Sequence, residues 1–225
     1  MNTKFELDED FEWFLEQFGY PTFSQGVTNR TIKKFQGKLP DRLLTYWQEY
    51  GFCGFMDGLF WIVNPDDYED VLEAWLGDTE IVEQDAYYVI ARSAFGELYL
   101  WGANNGFKYI IDTNNGWVIE KKGDKKNIAK GNIDDAIQLF FYLKRPESID
   151  IEDSEDKPLF NQCKVMHKPL AYDEMYAFEP TLFLGGEPKL ESTTKVNIFA
   201  HLSMLASFDQ KELLDKDGLI QKAFS

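Results

Sequence analysis

Two asparagine–glycine turns constrain the fold of this chain more than any other feature of its sequence. Asn104-Asn105-Gly106 and Asn114-Asn115-Gly116 each separate short β-prone runs, Leu98 to Trp101, Phe107 to Ile111 and Trp117 to Glu120. Ahead of them Tyr87, Val89 and Ala91 alternate with period two. Asn-Gly accepts the positive φ angles of a tight hairpin whose twist matches that of the strands it joins. Residues 86–121 are therefore predicted to form an antiparallel meander, and the remainder of the chain has to cover it.

The covering elements read as helices. Phe11, Phe14, Leu15 and Phe18 make one apolar stripe, with Asp8, Glu9 and Asp10 at its favourable N-terminal end and Gly19-Tyr20-Pro21 as its stop. A second helix starts at Pro40, buries Leu43, Leu44, Trp47 and Tyr50, and ends at Gly51. Gly51, Gly54 and Gly58 then break an aromatic run, Phe52 to Trp61, that suits a short hairpin. Asn64-Pro65 caps and opens a third helix with Tyr68, Val71, Leu72 and Trp75 inward. A basic exposed turn covers 121–130, and a helix follows from Ile133 to about Leu143, capped by Asn132. Residues 146–158 form an acidic connection. Beyond it the pattern predicts a helix over 159–166, an apolar strand over 176–186 ending in Gly185-Gly186, a core helix marked by Val196, Phe199, Leu202, Leu205 and Ala206, and a short helix from Asp209. The expected class is α+β, a central antiparallel sheet flanked by helices. Two sequence modules, 1–146 and 147–225, are expected to share one body.

Charge is distributed unevenly. Between Arg42 and Arg92 there is no lysine or arginine, whereas Glu49, Asp57, Asp66, Asp67, Glu69, Asp70, Glu73, Asp78, Glu80, Glu83 and Asp85 all fall there. The net charge is -16. Such a balance argues against nucleic acid and anionic membranes as direct ligands, both of which select Lys and Arg. It fits a cationic protein partner, although acidity also serves solubility alone. On the predicted third helix Asp66, Asp67, Glu69, Asp70 and Glu73 share a face with no i,i+4 lysine. Two cysteines, Cys53 and Cys163, make no disulfide framework. The N-terminus lacks the pattern of a signal peptide, and no apolar run approaches the ~20 residues of a membrane span. A cytoplasmic location is expected.

Catalytic signatures are sparse. Cys163 and His167 are spaced i, i+4, but no further cluster completes a zinc set. His201 falls within an apolar helical pattern, and Cys53 sits among aromatics as a small core thiol. No phosphate loop, nucleophile elbow or metalloprotease motif occurs. With acids this abundant, a carboxylate pair carries almost no specificity. Neither metal, cofactor nor enzymatic activity is predicted.

The stretch LPDRLLTYWQEYGFCGFMDGLFWIVNPDDYEDVLEAWL, with its proline-started helix, Trp-x-x-Tyr-Gly turn and Asn-Pro-x-x-Tyr helix start, resembles the GAD-like domain. AYDEMYAFEPTLFLGGEPKLESTTKVNIFAHLSMLASF resembles its companion C-terminal module. The pair, in that order, is similar to immunity proteins that neutralise type VI secretion DNase effectors, and the first part has a broader similarity to Smi/Knr-like immunity and adaptor proteins. The resemblance implies a one-to-one complex with a cognate nuclease toxin that is itself basic. Joined to the charge pattern, it makes Asp66, Asp67, Glu69, Asp70 and Glu73, helped by Asp57, Phe55 and Phe60, the expected partner contacts. A non-catalytic regulatory adaptor is the alternative.

Overall fold

The computed structural model describes residues 6–208 and 211–223. The Asn-Gly turns do what the sequence predicts. β4 (Tyr87–Ser93), β5 (Leu98–Gly102), β6 (Gly106–Asp112) and β7 (Trp117–Glu120) form consecutive antiparallel pairs. Gly106 and Gly116 take φ of 68° and 71° at the two turns. The glycine-broken aromatic run forms the hairpin β2 (Phe52–Phe55) and β3 (Phe60–Ile62), which extends the meander through β4. The short edge strand β1 (Phe23–Gln25) pairs with β2. At the far edge β10 (Glu212–Leu214) runs parallel to β7. The expected central antiparallel sheet is present as β1 to β7, and the parallel β10 at its edge makes the eight-stranded whole mixed.

One face of this sheet is covered by α1 (Glu9–Phe18), α3 (Asp41–Tyr50) and α7 (Ile133–Tyr142). Asp8 caps α1 by accepting from the Phe11 N–H at 3.0 Å. The α1 stripe inserts as predicted, with Phe11 against Phe141 and Phe14 against Phe60 at ring separations of 5.0 and 5.5 Å, and Phe140 of α7 meets Tyr99 of β5 at 5.9 Å. α2 (Asn29–Phe35) lies at the β1 end, where Phe35 meets Trp47 edge-on. The small helix α6 (Lys125–Ile128) interrupts the basic turn ahead of α7.

Side chains alternate across a strand, so Trp61 faces away from Phe60 and onto the other layer. That layer holds α4 (Glu69–Leu76), α5 (Ile81–Gln84) and the second module: α8 (Phe160–His167), the hairpin β8 (Glu174–Phe178) with β9 (Thr193–Asn197), and α9 (Ile198–Ala206). α10 (Lys216–Ala223) follows β10. Arg92, fully buried and stacked 4.6 Å over the Trp61 ring, donates to the carbonyls of Tyr172 and Glu174 at 2.9 and 3.0 Å. The Trp75 indole N–H donates to Leu202 O at 3.0 Å, tying α4 to α9.

Several boundaries differ from the sequence pattern. β8 stops at Phe178, and Leu182–Leu184 is a single 3-10 turn, so only the first three residues of the apolar run over 176–186 are strand. Val196 belongs to β9; α9 starts at Ile198, after Asn197 accepts from the Ala200 N–H. Asp209 lies outside the described residues, and the chain beyond it enters β10 before any helix. The acidic connection is ordered: Ile149 is buried, and Asp150 accepts from the Ile151 and Phe160 N–H groups at 2.8 and 2.9 Å.

Candidate protein-binding face

Asn64 and Pro65 place the acidic helix. The Asn64 carboxamide accepts from the Asp66 N–H, Pro65–Tyr68 makes one 3-10 turn, and α4 follows directly. Tyr68, Val71, Trp75 and Leu76 fill the core side, so the intervening carboxylates must point outward. Asp67, Glu69, Asp70 and Glu73 are exposed and Asp66 is half-buried. The structure brings these five together on one face.

They are not equivalent. Lys34 on α2 reaches across to Asp66 at 2.5 Å and Glu69 at 3.1 Å, and those two hydrogen bonds raise its pKa. Asp67 accepts from the Tyr172 hydroxyl at 3.0 Å and the Asn64 amide at 3.2 Å. Tyr172 in turn accepts from the Asn64 N–H at 2.9 Å. Asp67 is thus part of the joint between the modules. Among the described residues, the side chains of Asp70 and Glu73 take part in no hydrogen bond or ion pair. Glu73, with Glu69, lines a cleft of about 260 Å³ whose apolar lining includes Leu72, Leu76, Val82 and Tyr87. Pockets for drug-sized ligands span roughly 300–1,000 Å³, so this one suits one or two protein side chains.

The remaining expected contacts lie elsewhere. Phe55 and Phe60 are both 0% exposed, packed at ring separations of 5.0 and 5.5 Å on Phe14. Their side chains are core, which corrects their expected place on the surface; the strands carrying them are covered on both sides. Asp57 sits at the β2–β3 turn with φ of 57° and pairs with Lys164 of α8 at 2.8 Å. No contact joins it to the α4 carboxylates among the described residues.

A second cleft, of about 200 Å³, is lined by Glu97, Asp112 and Asp150, all with pKa raised, first by burial. Each carboxylate has a structural task. Glu97 accepts from the Tyr99 hydroxyl, Asp112 holds the Asn114-Asn115 turn, and Asp150 starts α8. His167 faces the Thr193 hydroxyl at 2.8 Å, and Cys163 is buried. No group of three or more potential metal ligands occurs among the described residues, and no described helix is long and apolar enough to cross a membrane.

A surface the sequence did not single out lies on α1 and α7, where Trp13, Leu139, Tyr142 and Leu143 are exposed. Its signal was present: Trp13 stands opposite the Phe11–Phe18 stripe, where a polar residue would ordinarily be found.

Comparison with known proteins matches this architecture. Residues 9–115 match the model of the GAD-like domain, and residues 134–209 that of the C-terminal domain of the type VI secretion system immunity protein Tdi1. The crystal structure of Atu4351 from Agrobacterium tumefaciens superposes with a TM-score of 0.77 at 20% identity, covering 92% of each chain, which shows a shared fold. None of the curated proteins compared with the chain matches it. Membership of an immunity family points to a binding rather than a catalytic role, with a toxin as the partner. Two family models, in this order, together cover most of the sequence, so the chain joins a GAD-like domain to the C-terminal domain of Tdi1-type immunity proteins of the type VI secretion system.

Proposed function

We propose that this protein neutralises a DNase toxin in the cytoplasm of the toxin-producing cell by forming a one-to-one complex through the acidic face of α4. The observation that carries this reading is the state of Asp70 and Glu73, exposed one helical turn apart and without an ion pair among the described residues, with Glu73 itself on the wall of an apolar cleft. A nuclease presents Lys and Arg to phosphates, and carboxylates fixed on a rigid helix complement that charge. Steering by such a field speeds capture, which suits a protein that must reach the toxin before the toxin reaches DNA. Leu72 and Val82 supply the apolar contact first assigned to Phe55 and Phe60.

Co-expression with DNase toxins of the same genome, scored by growth rescue and co-purification, tests the reading. The double variant Asp70→Lys/Glu73→Lys is expected to fold normally, because neither side chain bonds to another among the described residues. Its association rate should fall about tenfold or more at low salt, with a flatter ionic-strength dependence. Unchanged rescue and association would remove α4 from the interface, and failure of the unaltered chain to rescue against any such toxin would refute the function.

A further inference from the structure

The outer side of the α1–α7 pair combines features that the fold itself does not require. The inner side of α7 is saturated by Ala136, Ile137, Phe140 and Phe141. Leu139, Tyr142 and Leu143 point the other way, and Leu143 is 61% exposed. Spacings of three and four residues put them on one side of the helix end. Trp13 of α1 joins them, its ring 6.2 Å from that of Tyr142. Arg145 lies 5.5 Å over Trp13 and 5.8 Å over Tyr142, and its guanidinium donates to the carbonyls of Tyr142 and Lys144. Its charge is thereby engaged at the C-terminus of α7. Single exposed apolar residues are ordinary; four spanning two packed helices form a patch.

The surround of this patch is acidic. Glu9, Glu12 and Glu16 flank Trp13 on the exposed stripe of α1, a helix with no basic residue. Near its start Asp10 is crowded by Asp8, Glu9 and, from α7, Asp135; burial first and then these three charges raise its pKa. A cation brought here would relieve that repulsion. A second copy of the chain would instead bring the same glutamates against one another.

We infer that Trp13, Leu139, Tyr142 and Leu143 form a second docking surface, separate from α4, for an apolar anchor of the toxin flanked by lysine or arginine. Trp and Tyr held against each other lose little freedom on binding and are enriched where binding energy concentrates. α4 packs on α9 on the opposite side of the sheet, so a toxin engaging both surfaces would wrap the molecule. The inference rests on the immunity reading for its partner, but on none of the α4 carboxylates.

The test measures binding of the DNase toxin that growth rescue identifies, or, failing rescue, of each type VI DNase toxin of the same genome, by surface plasmon resonance, to the unaltered chain, Trp13→Ala, Leu143→Glu and Asp70→Lys/Glu73→Lys, with thermal melts as folding controls. Both patch variants are expected to raise Kd at least tenfold with melting unchanged, mainly through faster dissociation. Equal Kd for the patch variants and the unaltered chain would overturn the second surface and leave the immunity reading standing. Failure of the unaltered chain to bind would overturn both. A homodimer in sedimentation that Leu143→Glu splits would assign the patch to self-association and overturn the toxin as its occupant.

Discussion

Asp8 performs three tasks at the entrance to α1, and replacing it by alanine gives a stability prediction that can be worked through in parts. Its carboxylate caps the helix at the Phe11 N–H, accepts from the Tyr46 hydroxyl at 2.6 Å, and lies 3.8 Å from the Arg42 guanidinium. Loss of an N-cap acceptor costs about 1 kcal/mol. Tyr46 is fully buried, stacked 4.0 Å from Phe11, and its stranded hydroxyl adds about 1–3 kcal/mol. The pair with Arg42 is long and partly solvated, contributing about 0.5 kcal/mol or less. Asp8→Ala should therefore lower stability by roughly 2–4 kcal/mol, measured by urea unfolding at unchanged m-value. Tyr46→Phe in the Asp8→Ala background should cost nothing further, so the double-mutant cycle should show a coupling of about 1–2 kcal/mol. A loss below about 1 kcal/mol, or strict additivity in the cycle, would refute the assignment of Asp8 as a buried anchor.

Two further predictions concern charge. Lys34→Ala releases Asp66 and Glu69, and because these ion pairs are largely exposed the stability cost should stay below about 1 kcal/mol. Association with a basic toxin should become faster in the same variant, and slower association would contradict the α4 surface. Lys144 lies 3.8, 4.3 and 4.9 Å from the ring centres of Tyr99, Phe140 and Phe107. Burial there lowers its pKa from 10.5 to about 7, with Glu97 opposing. Between those values the unfolded chain holds a proton that the native state has released, so stability should rise with pH, by up to roughly 1.4 kcal/mol per unit. Lys144→Met should lack this rise in urea midpoints at pH 7, 8 and 9; parallel curves for the two proteins would refute it.

Local chemistry made much of the fold legible. The Asn-Gly turns, the Phe11–Phe18 stripe and the Asn64-Pro65 start each depend on neighbours within a few residues, and each forms where the pattern places it. What escaped depends on partners distant in sequence. Lys34 belongs to α2, yet it neutralises part of a face more than thirty positions away. Nearness in sequence to the acidic helix points to Phe55 and Phe60 as contacts; the packing of α1 on their strands places their rings in the core instead. The side-by-side docking of α1 and α7 creates the Trp13 patch from two segments that no linear window contains together. β10 is three residues long, with neither alternation nor a turn to announce it.

That last strand governs how the sheet behaves toward other molecules. A free β7 edge would offer the unpaired backbone of Trp117-Val118-Ile119, a β-prone template for adding strands from other chains. Glu212–Leu214 occupies this edge in parallel register, and at the opposite end β1 is short and largely polar. Shortening the chain before Glu212 would leave every core residue of the meander in place while converting a covered edge into a seed for intermolecular sheet growth. The first symptom would be turbidity on concentration or standing, at a temperature where the fold itself is intact.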